Sequence, residues 1–293
     1  MMILSMCTAV LADRISDKEA IKILKDAGFD AFDYTVRKGS CAEEKLLQET
    51  HIEYAEEIRK YAEKLEIECN QAHAPIPSND EGDEYLKIIR SIEMAGILGA
   101  KIIVVHPIKA PGELYQVKKK ALFARNMAFY RSLIPYAEKN NVKIAIENMY
   151  SVDENKKAIV SGVCAHGDEF CEYIDTLDSE YIVACLDTGH VALTGDTVSN
   201  LMHDMGDRVK ALHIHDVDFV NDNHVLPYTG KIDWNEVCKV LADSGYDGDF
   251  TYEACNFFSP YMDDDFIPIA AKFAEQVGRS LIKKIEKARA EIR

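Results

Sequence analysis

Asp187 and His190 stand three residues apart in Cys185-Leu186-Asp187-Thr188-Gly189-His190, directly after the apolar run Tyr181-Ile182-Val183-Ala184-Cys185-Leu186. That run is bounded by polar residues and too short for a helix, so it reads as a buried strand. A carboxylate at the strand's C-terminal tip and an imidazole on the next turn can reach a common point. Such geometry suits a divalent metal or a polar substrate. An Asp there also caps a following helix, so this stretch alone decides nothing. The pattern recurs, however: other apolar runs end in His73, His106, Glu147, His213 or His215, and Glu253. Burying Glu147, Asp187 and Glu253 together without positive charge is prohibitive, because adjacent carboxylates do not all stay ionised. A divalent cation removes that difficulty.

The elements that must position these residues follow from the hydrophobic pattern. Strand-like runs begin near positions 3, 29, 67, 101, 142, 182, 209 and 249. Between them lie apolar stripes of helical period, such as Ala55, Ile58, Ala62 and Leu65, or Met127, Tyr130, Leu133 and Ala137. Gly28, Gly99 and Gly245 fall where helices should end. Strands alternating with helices give a parallel sheet. Eight is the number that closes a (β/α)8 TIM barrel, here one domain over residues 1–293. A doubly wound open sheet is the competing fold, but no Gly-rich dinucleotide turn is present. In a barrel the site lies at the C-terminal mouth, where the polar strand ends collect.

Around this set lie further candidates. His213 and His215 share a parity and Asp216 has the other, so spacing leaves either imidazole as a ligand. Asp222-Asn223-His224 offers a second ligand pair, or a solvated turn. Lys109 and Arg37 could reach a phosphate or carboxylate on a substrate, and Trp234 either packs under its loop or stacks on a sugar face. His51, His166 and His203 read as structural.

Acidic residues outnumber basic ones, 50 to 34, for a formal charge of -16. Such a field repels polyphosphate, so nucleic acid is not expected as a partner. No window approaches the roughly 20 apolar residues of a membrane span, and the N-terminal stretch reads as a first strand rather than a signal peptide. The eight cysteines form no CxxC pair; Cys7, Cys69, Cys185 and Cys255 lie in strand-like runs, and a reducing, cytoplasmic setting is expected. A homo-oligomer is compatible with all of this.

Ile146-Glu147-Asn148, Leu186-Asp187-Thr188-Gly189-His190, His213-Ile214-His215-Asp216, the Leu226-to-Trp234 loop and Tyr252-Glu253 together resemble the xylose-isomerase-like TIM-barrel superfamily. The likeness is to its sugar phosphate isomerase/epimerase branch, which includes tagatose 3-epimerase, hydroxypyruvate isomerase and inosose dehydratase, and it runs essentially the whole length. The resemblance implies one divalent metal (Mn, Zn, Co or Mg) held by Glu147, Asp187, His213 and Glu253, the first histidine of the pair being the ligand. His190 matches a substrate-contacting residue. Epimerases of free ketohexoses place an Arg six residues after the ligand histidine, where this chain has Phe219. Endonuclease IV belongs to the same superfamily, and His73, His106, Glu147, Asp187, His190, His213, Asp222, His224 and Glu253 match its zinc ligands in order.

The reaction this implies is proton removal next to the carbonyl of a sugar or sugar phosphate. A metal stabilises the enediolate as a Lewis acid, and Glu147 and Glu253 serve as the acid/base pair. Substrate contacts are expected from Lys109, His215 and Trp234, and a second metal or the substrate from His73, His106, His190, Asp222 and His224. The alternatives are an endonuclease IV-like multinuclear zinc phosphodiesterase, an inosose-dehydratase-like lyase, and a barrel subunit that depends on a partner.

Overall fold

Each of the eight apolar runs forms a strand of one sheet, and one extra pair of strands interrupts the series. The computed structural model describes residues 2–109 and 115–292. Its strands are β1 (Leu4–Cys7), β2 (Ala31–Thr35), β3 (Glu68–His73), β4 (Ile102–Val104), β5 (Lys143–Glu147), β6 (Tyr150–Asp153), β7 (Ala158–Ser161), β8 (Ile182–Asp187), β9 (Val209–His213) and β10 (Phe250–Tyr252). The helices are α1 (Ala9–Arg14), α2 (Asp17–Ala27), α3 (Cys41–Leu46), α4 (His51–Leu65), α5 (Gly82–Leu98), α6 (Tyr115–Asn140), α7 (Gly167–Leu177), α8 (Thr188–Leu193), α9 (Val198–Met205), α10 (Trp234–Asp243) and α11 (Ile267–Ile292).

The main sheet is parallel throughout, in the order β10-β1-β2-β3-β4-β5-β8-β9. It closes through Ile214, whose N–H donates to Thr251 O at 2.9 Å while its carbonyl accepts from Glu253 N at 3.1 Å. The expected eight-stranded barrel is therefore what the chain forms. Val104, Ala145, Val183, Cys185 and Ala211 make a small separate cluster, while the main core lies between strands and helices. Small side chains inside the ring are what fit beneath a mouth crowded with imidazoles.

Local signals explain the helix ends. Ser16 caps α2 by accepting from Glu19 N, and Gly28 ends it in the left-handed region at φ 101°. Gly99 ends α5 in the same way. No helix among the described residues is long and apolar enough to cross a membrane.

The β6–β7 hairpin is a departure from the expected strand–helix alternation. Its strands are short and only half-buried, and they pair antiparallel, Tyr150 with Ser161 and Asp153 with Ala158. The turn is set by Asp153 Oδ1, which accepts from the N–H groups of Asn155 and Lys156.

A second loop is organised by one buried carboxylate. Asp216 Oδ1 accepts from Val217 N at 2.9 Å and Ile232 N at 3.0 Å; Oδ2 accepts from Tyr228 N at 3.0 Å and Trp234 Nε1 at 2.8 Å. A Cβ at Gly230 would collide with this carboxylate, so the loop needs glycine there. Replacing Asp216 by Ala strands these donors, and each buried orphan costs about 1–3 kcal/mol. The variant is expected to unfold several degrees lower in a thermal melt; an unchanged melting temperature would mean the loop contributes nothing to stability.

Candidate functional site

Six neighbouring strands deliver their polar ends to one mouth. β3 ends in His73, β5 in Glu147, β8 in Asp187 and β9 in His213; His106 lies two residues past β4, and Glu253 immediately follows β10. Parallel register does the alignment: Glu147 sits opposite Cys185 and Asp187 opposite His213. Asp187 also caps α8, its Oδ1 accepting from His190 N at 2.6 Å, and this brings His190 back over the strand tips. A Cβ at Gly189 would run into the His215 ring, so the turn after β8 requires glycine for close approach.

Five ligand groups result among the described residues, and three of them together contain every histidine and carboxylate of the five. Glu147, Asp187, His213 and Glu253 each offer an atom, all within 4.8 Å of one another. His73 and His106 form a second such group with Glu147, and His190, His215, Asp222 and His224 a third. His213 Nδ1 lies 2.8 Å from Glu147 Oε1 and 3.2 Å from Glu253 Oε2. His73 Nε2 and His106 Nε2 approach to 2.9 Å. In the third group, His224 Nε2 is 3.0 Å and His190 Nε2 3.6 Å from Asp222, while His215 Nε2 contacts both oxygens of Asp187 at 2.9 Å.

These contacts do not satisfy the atoms that make them. His106 Nε2 stands 2.5 Å from Glu147 Oε2 but is not aligned to donate, and that oxygen has no hydrogen-bond partner. His106 Nδ1, His215 Nδ1 and Asp222 Oδ1 are buried without a hydrogen-bond partner as well, and so is His73 Nδ1, although it stands 3.3 Å from Glu253 Oε1. Unpaired donor atoms converging from several directions are what a cation site requires, so the residues fit a divalent metal.

Charge in the mouth is shared between the two kinds of group. Burial pushes Glu147 up, but His213 and His106 overcome it and hold the carboxyl well below its usual range. Glu253 behaves alike, with His213 and His224 outweighing burial. Burial disfavours protonated His190, yet Asp187, Asp222 and Glu147 raise it to about 9. His106 goes the other way, lowered to about 4 by burial against the pull of Glu147. A bound cation would take over the neutralising role of the imidazolium protons and release them.

Behind His213 sits Asp33 of β2, a residue not singled out from the sequence. It is fully buried, accepts from Gln71 Nε2 at 3.3 Å, and has Oδ2 3.8 Å from His213 Nε2. His213 thus turns Nδ1 to the ligand group, while its Nε2 faces the Asp33 carboxylate beyond hydrogen-bond distance and has no hydrogen-bond partner. Asp33→Asn removes a buried carboxylate beside the His213 ring and is expected to weaken metal binding several-fold through the lost charge. Competition with a chromogenic chelator measures this, and unchanged affinity would remove Asp33 from the site.

A cavity of about 330 Å³ opens above the groups, lined among others by His73, His106, His190, Asp222, His224 and Glu253. Arg37, Lys38 and Lys109 stand on its wall, so Lys109 is where a substrate contact was expected. Its Nζ lies 5.1 Å from the ring centroid of Tyr150. Burial lowers the pKa of Lys109 against the opposing effect of Glu147 and Asp222. Tyr150 comes from the hairpin; its hydroxyl donates to Asp222 Oδ2 at 3.0 Å, and only its place three residues after Glu147 hinted at a role.

Two expectations need correction. Trp234 is not a substrate platform: it is buried at the start of α10 with its indole N–H on Asp216, so it packs under the loop. His215 is enclosed at 0% exposure against Asp187, which places it with the ligand groups instead of on the cavity wall. Phe219 is half exposed and faces a separate groove with Val191 and Val237, so the mouth receives no side chain from that position. His51 pairs with Glu93 at 3.2 Å, and His166 joins Ser161 at 2.8 Å to Asp196 at 3.2 Å, both as structural ties.

The family model for the xylose isomerase-like TIM barrel matches residues 21–265. The chain belongs to this family. It is 23% identical over 267 residues to an uncharacterised protein of Sinorhizobium fredii, covering 80% of each. To fructoselysine 3-epimerase of Shigella flexneri it is 22% identical over 189 residues, 62% of this chain and 64% of that one. A crystal structure of a D-tagatose 3-epimerase-like protein superposes with a TM-score of 0.75 at 19% identity, covering 98% of this chain and 99% of the other. In this chain every strand of the main sheet from β3 onward leads to a histidine or a carboxylate.

Proposed function

We propose that this protein is a divalent-metal-dependent isomerase or epimerase acting on a sugar or sugar phosphate, working as one domain over residues 1–293 in a reducing cytoplasm. One observation carries the reading: Glu147 and Glu253 reach the same imidazole, His213 Nδ1, at 2.8 and 3.2 Å from different parts of the ring. Two carboxylates that share a centre but arrive from different strands can address a bound carbon from different sides. The relationship to fructoselysine 3-epimerase supports the same class.

Glu147, Asp187, His213 and Glu253 would hold the metal, with Mn, Zn, Co or Mg all matching oxygen and nitrogen donors. When bound, such a cation supplies Lewis-acid stabilisation of charge developing on a substrate carbonyl. Glu253, on the cavity wall, removes or returns the proton next to that carbonyl, and Glu147 serves the opposite step. His190 hydrogen-bonds a substrate hydroxyl from the wall, and Lys109 neutralises an anionic substituent.

A second reading has its own support. The three contiguous ligand groups contain all nine positions that match endonuclease IV, so multinuclear zinc hydrolysis is the competitor. Against DNA stands the charge of -16. The deciding experiment combines elemental analysis with proton–deuterium exchange on ketoses and ketose phosphates in D2O, beside an abasic duplex at physiological salt. Exchange without strand cleavage is expected. Salt-sensitive binding with cleavage at the abasic site, and no exchange, would replace the sugar reading by repair.

A further inference from the structure

Four of the large apolar side chains that face solvent lie close together in the chain. Tyr261 is 94% exposed, Phe266 51%, Ile269 59% and Phe273 51%. Phe266 ends the 3-10 turn Asp264–Phe266 that leads into α11, and Ile269 and Phe273 follow it at helical spacing, so the three share the outer face of that helix. Ala270, Ala274, Leu281 and Ile285 are buried on its other side. A Phe or Tyr side chain buries roughly 150–250 Å², so at these exposures the four residues offer roughly 500 Å² of apolar surface. A specific interface takes about 800 Å² from each partner, a little over half of it non-polar. The stripe thus supplies the apolar share of one complete interface, whereas apolar residues exposed singly need no partner. Phe273 is backed by Phe257, ring centroids 6.2 Å apart, from the short turn Cys255–Phe257 beyond Glu253.

We propose that this face of α11 binds a second copy of the chain, in a twofold dimer whose axis passes beside Phe273. The flanking charge selects that occupant. Asp263, Asp264 and Asp265 precede the stripe, and Lys283, Lys284 and Lys287 stand exposed towards the other end of α11. Asp264 is already paired with Arg14 at 2.6 Å, so Asp263 and Asp265 are the groups left to reach a partner. The matching surface is apolar and carries the same charges in reverse order, and α11 of a second copy presents it when the two helices run antiparallel. With the axis at Phe273, that ring meets its own counterpart, and Phe266 lies opposite Ser280, each seven residues from the axis. Asp263 lies opposite Lys283, each ten residues away, about 15 Å along the helix. Such a self-complementary contact closes after two copies and leaves no stripe free to propagate. An anionic membrane surface is a poorer occupant, because it repels the aspartates beside the stripe.

The dimer does not depend on which reaction the mouth carries out, and its test needs neither substrate nor metal. Sedimentation equilibrium of the full-length protein at micromolar concentration should give twice the chain mass. Ile269→Asp puts a charge into the stripe at an exposed position, so the monomer should keep its fold by circular dichroism. The dissociation constant of the dimer should rise at least about tenfold. Cross-linking then reads the register. Phe273→Cys, on the axis, should give a covalent dimer under mild oxidation, because the two sulfurs meet. Ile269→Cys should not, since its counterpart is displaced along the antiparallel helix beyond the roughly 7 Å that a disulfide spans; nor should the wild type. A monomeric wild type would overturn the proposal and leave the stripe to a different partner. A dimer unaffected by Ile269→Asp would overturn it by placing the contact on another face. Failure of Phe273→Cys to link, in a protein that still sediments as a dimer, would overturn the antiparallel pairing about Phe273.

Discussion

Glu253→Gln and Glu147→Gln, each loaded with metal, are expected to lose interconversion of an identified substrate and its product by about 100- to 10,000-fold, the usual contribution of a general acid or base. Glutamine keeps the shape and one oxygen but has no basicity near neutral pH, so the substitution separates proton transfer from simple occupancy. The two variants should differ in D2O. Glu253 lines the cavity, while Glu147 is fully enclosed beneath His106. The variant that keeps the base for a given epimer can still exchange that epimer's proton with solvent, whereas the other cannot. Following each C–H signal for both epimers assigns the carboxylates to their faces. Near-normal turnover in either variant would make the carboxylates ligands only, and His190 would be the first alternative carrier of the proton.

Much of this arrangement is legible in the sequence because strand ends in a parallel barrel are short-range features. Tyr181 to Leu186 reads as buried by composition, and Asp187 follows it directly, so strand and ligand are fixed by the same few residues. What the sequence hides is of two kinds. Asp33 sits inside the strand-like stretch Ala31-Phe32-Asp33-Tyr34, and its parity could not reveal that His213 from β9 would lie across the ring from it. Tyr150 belongs to a half-buried hairpin whose alternation is too short to stand out from a loop. Trp234 failed for the opposite reason. A tryptophan near a mouth invites a stacking role, but its indole N–H needs a partner once buried, and Asp216 supplies one only after the loop has folded back. Cys255 was grouped with strand residues, although β10 ends at Tyr252 and the thiol lies in the turn beyond. Parity along a strand is readable one strand at a time, and contacts across the ring are not.

Removing the metal should have the largest effect on stability, and the effect should grow with pH. A cation that binds only the folded state stabilises it by mass action, by about 4 kcal/mol at a thousandfold excess over Kd. In the stripped protein, Glu147, Asp187 and Glu253 remain buried and are neutralised by protonated imidazoles. His190 is raised to about 9 in the fold, above its ordinary value of about 6.5. A histidine shifted upward contributes stability that is complete below the unfolded pKa and is lost as pH rises through the folded one. The stripped protein should therefore lose stability between about pH 6.5 and 9, where its carboxylates give up that partner. The loaded protein is spared, because the cation does not titrate and binds more tightly as its histidine ligands lose their protons. Thermal melts of chelated and Mn-reconstituted protein at several pH values test both parts. The gap in melting temperature should be present at pH 6 and wider at pH 9. A chelator that changes neither melting temperature nor metal content at any pH would mean that the imidazoles and carboxylates form a closed hydrogen-bonded network, with no metal site at the mouth.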